Sequence, residues 1–139
     1  MILVDASVWI SYFNGKIAWQ TELLDQLLQT VPLLMGDLIL TEVLQGFRFD
    51  RDFEKAKSHL DVLPCRTIGG YDLALQSAIN YRRLRKQGIT IRKTVDVLIG
   101  TFCIQENLLL LHDDHDFDPM VDHLGLKIIS SDFLFSTRL

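Results

Sequence analysis

Met1-Ile2-Leu3-Val4-Asp5-Ala6-Ser7 opens the chain and decides how the rest is read. Four apolar residues run straight into a carboxylate. Ile2 and Val4 are β-branched and the run is short, which reads as a buried strand. The following Ala6-Ser7-Val8-Trp9-Ile10-Ser11 reads as a helix start, so Asp5 stands at a strand-to-helix junction. In an open α/β sheet, ligands bind outside the carboxyl ends of the strands. A carboxylate behind four apolar residues needs hydrogen bonds or a counter-charge. Asp at such a junction also serves as an ordinary helix N-cap. The two readings are separated by whether further carboxylates occupy equivalent places.

Working outward, residues 8–15 suggest a short helix stopped by Asn14-Gly15, a turn pair. From Ile17 to Gln29, Leu23, Leu24, Leu27 and Leu28 form one apolar stripe. Trp9, Ile10, Phe13 and Trp19 add large apolar groups to this helical pair; they fit core packing or a groove for a partner. Val31 to Met35 reads as the second strand. Asp37 is then an N-cap for a helix to about Phe49, which carries Glu42 between Leu40 and Val43. A Glu there is favoured near a helix N-terminus in any case, yet its company is unusually apolar.

Asp50 to Leu60 reads as a charged, solvated helix. Val62-Leu63-Pro64-Cys65 reads as a short strand, with Pro64 suiting an edge. Gly69-Gly70 opens the longest helix, Tyr71 to Gln87, ended by Gly88. Thr94 reads as the N-cap of a helix over Val95 to Glu106. Asp96 is then at its second position, and Gly100 marks close packing against the sheet. Leu108 to Leu111 is a buried strand ending in His112-Asp113-Asp114-His115-Asp116-Phe117. Leu126 to Ile129 is the last strand, and Ser130 to Leu139 a short tail. Five strands alternate with helices, so the expectation is one domain over residues 1–139, a three-layer α/β/α fold with a five-stranded, mostly parallel sheet.

Hydrophobic residues at 48% and charged residues at 23% are ordinary for a globular domain with one sizeable core. No apolar run approaches the roughly 20 residues that span a bilayer. The N-terminus lacks the basic region and cleavage site of a signal peptide, so the cytoplasm is the expected location. Cys65 and Cys103 lie in apolar sequence and form no metal-type pair; both are expected to be buried, reduced thiols.

Carboxylates recur at equivalent places: Asp5 after the first strand, Glu42 after the second, Asp96 on the helix before the fourth, and Asp114 and Asp116 after the fourth. If the first and fourth strands are neighbours, Asp5 and Asp114 flank the point where strand order reverses, where a binding crevice is expected. Carboxylates that close repel one another, and a divalent cation relieves the repulsion. All-oxygen ligands select a hard ion, Mg²⁺ or Mn²⁺. His112 and His115 are poor candidates for zinc, with no thiolate or third His nearby. The implied chemistry is phosphodiester hydrolysis. Setting those five acids aside turns a net charge of −4 into +1. Arg82, Arg83, Arg85 and Lys86, followed by Arg92 and Lys93, exceed what capping a helix C-terminus requires and suit an anionic partner.

These residues resemble a known family. Val4-Asp5-Ala6-Ser7, Glu42-Val43-Leu44-Gln45-Gly46, Tyr81-Arg82-Arg83-Leu84-Arg85 with Gly88-Ile89-Thr90-Ile91, Thr94-Val95-Asp96-Val97-Leu98-Ile99 and Asp114-His115-Asp116-Phe117 are similar, in order and spacing, to PIN-domain ribonucleases. Within that family they resemble specifically the VapC-type toxins of bacterial and archaeal toxin–antitoxin pairs, and the resemblance covers essentially the whole chain. The resemblance implies a five-stranded parallel sheet between helices, Mg²⁺-dependent cleavage of RNA, homodimerisation, and inhibition by a small VapB-type antitoxin. It places the family's acids on Asp5, Glu42, Asp96 and Asp114, with Asp5 and Asp96 as principal metal ligands and Ser7 and Asp116 in support. His112 stands where the family usually has Thr or Ser, and Gly100 where Ala is common; neither removes an acid.

Two other classes compete. A phosphotransfer enzyme of the HAD type also places Asp after its first strand, but wants a second Asp two residues on, where this chain has Ser7. A non-catalytic module would use the acids as caps and the basic helix to bind RNA or protein. For the toxin reading, the helices carrying Trp9, Phe13, Leu23 and Leu27 are the expected antitoxin groove.

Overall fold

The computed structural model describes residues 1–133; of the expected tail, residues 134–139 lie outside that range. Strands β1 (Ile2–Val4), β2 (Leu33–Gly36), β3 (Cys65–Arg66) and β4 (Leu109–Leu111) form one parallel sheet in the order β3-β2-β1-β4. Helices α1 (Ala6–Phe13), α2 (Trp19–Thr30), α3 (Asp37–Leu44), α4 (Asp50–Leu60), α5 (Tyr71–Lys86), α6 (Thr94–Glu106) and α7 (Asp118–Leu124) fill the connections, with a 3-10 turn at His115–Phe117.

All of β1 and β2 is buried. Successive strand side chains point to opposite faces, so burial of every one requires cover on both sides of the sheet. The helices supply it in two groups, α1 with α2, α3 and α4, and α5 with α6 and α7. The expected α/β/α layering is therefore present.

The sheet has four strands among the described residues, not five. The segment expected as the last strand meets β4 only through a single bridge, Leu110 to Ile128. Leu110 donates to the Lys127 carbonyl and accepts from the Ile129 N–H. Leu126 and Ile129 are buried beside it, so the apolar pattern reflects packing rather than a ladder. Gly100 also differs from expectation: a Cβ there would collide with the Met120 sulfur, so the glycine admits α7 rather than the sheet. Lys93, not Thr94, is the N-cap of α6, which places Asp96 third in the helix. Cys103 is buried as expected, but Cys65 is exposed on the edge strand β3.

Strand β1 lies between β2 and β4, and the connections leave it in opposite directions. The switch point anticipated between the first and fourth strands is therefore real, and the Asp5 N–H donates to the Leu111 carbonyl across it at 2.9 Å.

Candidate metal centre and active site

Asp5 is both a cap and a member of a cluster. Its Oδ2 caps α1, accepting the Ser7 N–H at 3.0 Å and the Ser7 hydroxyl at 2.7 Å. Its Oδ1 is buried without a hydrogen-bond partner, as are Glu42 Oε1 and Asp96 Oδ2. Asp5 is 4% exposed and Asp96 2% exposed. Three orphaned carboxylate oxygens at one end of a sheet have a cost that a cation would offset.

Asp96 projects from the first turn of α6, and Asp114 and Asp116 from the turn after β4. One oxygen from each of these three lies within 4.8 Å of the others. The Asp116 N–H donates to Asp114 Oδ1 at 2.9 Å and holds that carboxylate in place. Asp5 and Glu42 lie outside this closest trio among the described residues, yet their charges reach it. Burial raises the Asp5 carboxyl above its usual range, and Asp114 adds to the rise. Glu42 is raised by burial and then by Asp5 and Asp114. Asp96 is pushed up to about 7, chiefly by burial, with Asp5 and Asp114 adding and Lys93 opposing. Asp114 resists its partial burial: the Lys93 ammonium and the Asp116 N–H hold it below the ordinary carboxylate range. The four acids carried over from the sequence thus share one electrostatic neighbourhood, and Asp116 lies beside two of them.

Among the six basic residues singled out, only Lys93 is brought to the acids. Its Nζ donates to Asp114 Oδ2 at 2.8 Å and lies 3.4 Å from Asp96 Oδ2. Arg82, Arg83, Arg85 and Lys86 are exposed on the last turns of α5, and Arg92 is exposed on the loop beyond. The Arg85 guanidinium lies over the Tyr81 ring.

Two links escaped the sequence. Ser7 Oγ accepts the Asp113 N–H at 3.0 Å, and His112 Nδ1 accepts the Asp114 N–H at 3.1 Å. An accepting Nδ1 requires the neutral ring, and burial does lower the His112 pKa. The first link depends on the β1–β4 pairing, which no local pattern displays; the second lies within the loop after β4. The Lys93–Asp96 spacing of three residues was a readable helical-pair signal.

The donor set is all carboxylate, with three buried oxygens unpartnered and no His or Cys among them. That is the chemistry of a hard divalent ion. The residues present fit such an ion.

A second concavity lies away from these acids. It encloses about 620 Å³ between α1, α2 and α4 and is lined by Tyr12, Phe13, Leu28, Phe47, His59 and Val62. Of the two readings open for the large apolar groups, Trp9, with Leu23 and Leu27 beside it, takes core packing, each 2% exposed or less, while the helices that carry them wall this concavity. Phe13 itself lines it.

Comparison with known proteins is consistent with this geometry. The PIN domain family matches residues 2–121. The chain is 29% identical over 133 residues to Ribonuclease VapC11 of Mycobacterium tuberculosis and to VapC ribonuclease Mb1587 of Mycobacterium bovis, spanning 94% of this chain and 98% of each relative. Among solved structures, VapBC2 from Rickettsia felis, crystallised with a DNA fragment from its promoter, superposes with a TM-score of 0.73 at 16% identity, over 93% of this chain and 98% of that one. At that identity the likeness is one of fold. With a match across most of its length, the chain belongs to the PIN-domain family.

Proposed function

We propose that this protein is a metal-dependent endoribonuclease, the toxin of a VapBC-type toxin–antitoxin pair, hydrolysing RNA phosphodiester bonds in the cytoplasm. One observation carries the reading: beside the strand-order switch point, Asp96, Asp114 and Asp116 bring three carboxylate oxygens within 4.8 Å of one another, and Asp5 and Glu42, each with a buried unpartnered oxygen, feel the charge of Asp114. Asp5, Asp96 and Asp114 would hold Mg²⁺ or Mn²⁺, with Glu42 and Asp116 completing the acidic wall. Such an ion, when bound, lowers the pKa of a coordinated water and polarises a phosphoryl oxygen.

The chain's own residues do the rest. Ser7 fixes the rotamer of Asp5 by donating two hydrogen bonds to one oxygen, leaving the other for ligation. The Asp116 N–H holds Asp114 by its Oδ1. Arg82, Arg83, Arg85, Lys86 and Arg92 offer exposed cations for RNA phosphates, contacts that position a strand without reading its sequence.

The groove lined by Tyr12, Phe13, Leu28, Phe47 and Val62 supports the proposed VapB-type antitoxin as partner, as an apolar surface that a helix would cover. Tyr71, Leu75 and Ile79, exposed four residues apart on α5, support a homodimer. No helix among the described residues is long and apolar enough to cross a membrane.

The test is cleavage of total cellular RNA by purified protein, with the ends sequenced. Cleavage that stops with EDTA, returns with Mg²⁺ or Mn²⁺ and is absent in Asp5→Asn supports the reading. Metal-independent cleavage, or intact activity in Asp5→Asn, overturns it. RNA binding without cleavage under any metal favours the non-catalytic module.

A further inference from the structure

The Lys93 side chain is an oddity for a residue in a basic run. Its neighbours Arg92 and, beyond the turn, Lys86 and Arg85 are exposed away from the acids, whereas its ammonium sits on two site carboxylates. It is also an imperfect partner. It hydrogen-bonds Asp114 Oδ2, but reaches Asp96 Oδ2 only as an ion pair at 3.4 Å, leaving that oxygen without a hydrogen bond. A single half-exposed ammonium thus covers an oxygen pair that a divalent ion would cover better.

We propose that Lys93 is the resident counter-cation of the carboxylate cluster, exchanged for the divalent ion when the site is loaded; this rests on the metal-dependent reading above. The Lys93 side chain is about half exposed, so it leaves by rotating into water without disturbing packing. The ligands do not depend on it for their places. Asp114 Oδ1 is held by the Asp116 N–H, and Asp96 is fixed on α6 with 2% exposure. Removing Lys93 therefore leaves the ligands arranged and removes only the competitor. Metal affinity in the wild-type protein includes the work of displacing an ammonium that two carboxylates attract.

Two measurements on full-length protein test this. The first is Mn²⁺ titration by calorimetry of wild type, Lys93→Gln and Arg92→Gln. Lys93→Gln should bind Mn²⁺ about tenfold more tightly, while Arg92→Gln, which removes the same charge one residue away, should stay close to wild type. Equal or weaker binding by Lys93→Gln overturns the proposal, and so does an equal gain in Arg92→Gln. The second uses wild type alone: amine acetylation read by mass spectrometry, with and without saturating Mg²⁺. Labelling should rise several-fold at Lys93 and stay level at Lys16, Lys55 and Lys57. No rise at Lys93 in a protein that demonstrably binds Mg²⁺ overturns the exchange while leaving the metal reading intact. Absence of any Mn²⁺ or Mg²⁺ binding overturns both.

Discussion

Ser7 Oγ accepts the backbone N–H of Asp113 at 3.0 Å, a hydrogen bond between residues 106 apart in the chain. The same hydroxyl donates to Asp5 Oδ2 at 2.7 Å. One side chain therefore ties the end of β1 to the loop that carries Asp114, and the two halves of the acidic site are held in register through it.

Ser7→Ala removes both bonds. Cleavage should fall about tenfold, the usual scale when a group that orients a metal ligand is lost. Stability should fall by about 1 kcal/mol. Paired kinetics and denaturant titration check this; unchanged kinetics would mean that Asp5 is oriented by its helix alone.

Asp96→Asn should separate catalysis from folding. The substitution keeps the shape and removes a buried charge that finds only an ion pair at 3.4 Å. Cleavage should drop at least about a hundredfold, whereas the metal-free melting temperature should not fall. A variant that loses activity only because it unfolds would show a lowered melting temperature instead.

The metal-free protein should be less stable at pH 8 than at pH 5. Asp96 titrates at about 7 in the folded state, against a model-peptide value of 3.8. Its folded pKa is raised, so the stability it contributes is present below about pH 4 and is lost as pH rises through 7. Asp5 and Glu42 are raised and act in the same sense. Asp114 is lowered, and its opposing contribution is complete before this window opens; His112, lowered by burial, opposes within it as one group against three. Urea unfolding in EDTA should give a stability lower by roughly 1–3 kcal/mol at pH 8, and saturating Mg²⁺ should close the gap.

Leu28→Asp and Val62→Asp test the apolar groove. Both residues are exposed, 39% and 80%, so the fold should tolerate the charge. Affinity for the cognate antitoxin should weaken by about tenfold or more, with RNA cleavage by the isolated protein unchanged. Hydrogen exchange should slow along α1, α2 and α4 on binding; unchanged exchange there would move the partner elsewhere.

Thr101→Val probes the α5–α6 packing away from the site. Asn80 Nδ2 donates to Thr101 Oγ1 at 3.0 Å, both groups buried, and Gln76 in turn donates to Asn80. Removing the hydroxyl leaves an amide donor unpaired and should cost about 1–3 kcal/mol, measured by urea unfolding, with Mn²⁺ affinity unchanged.

Much of this was written locally in the chain. The apolar run before Asp5 is a strand because nothing else buries four such residues so briefly, and Glu42 stood out because its neighbours are apolar. What was not legible depends on partners distant in sequence. Leu126 to Ile129 has the composition of a strand, but only one residue finds a bridge. Cys65 follows apolar residues, yet Val62 itself is exposed at this edge. Helical spacing showed that Leu23 and Leu27 share a face but not whether it meets the core or a partner. Lys93 read as one more cation in a basic run, because its carboxylate partner Asp114 is supplied by the turn after β4, 21 residues on.

The division of labour within the Asp5 carboxylate shapes how this protein can fail. One oxygen finishes a helix and the other is spare, so Asn at this position keeps the scaffold while discarding the charge. A chain disarmed in that way still presents the intact α1–α2–α4 surface. If that surface takes the proposed antitoxin, such a chain would sequester it without cutting anything, and in a cell that also carries an active copy it would release the armed one.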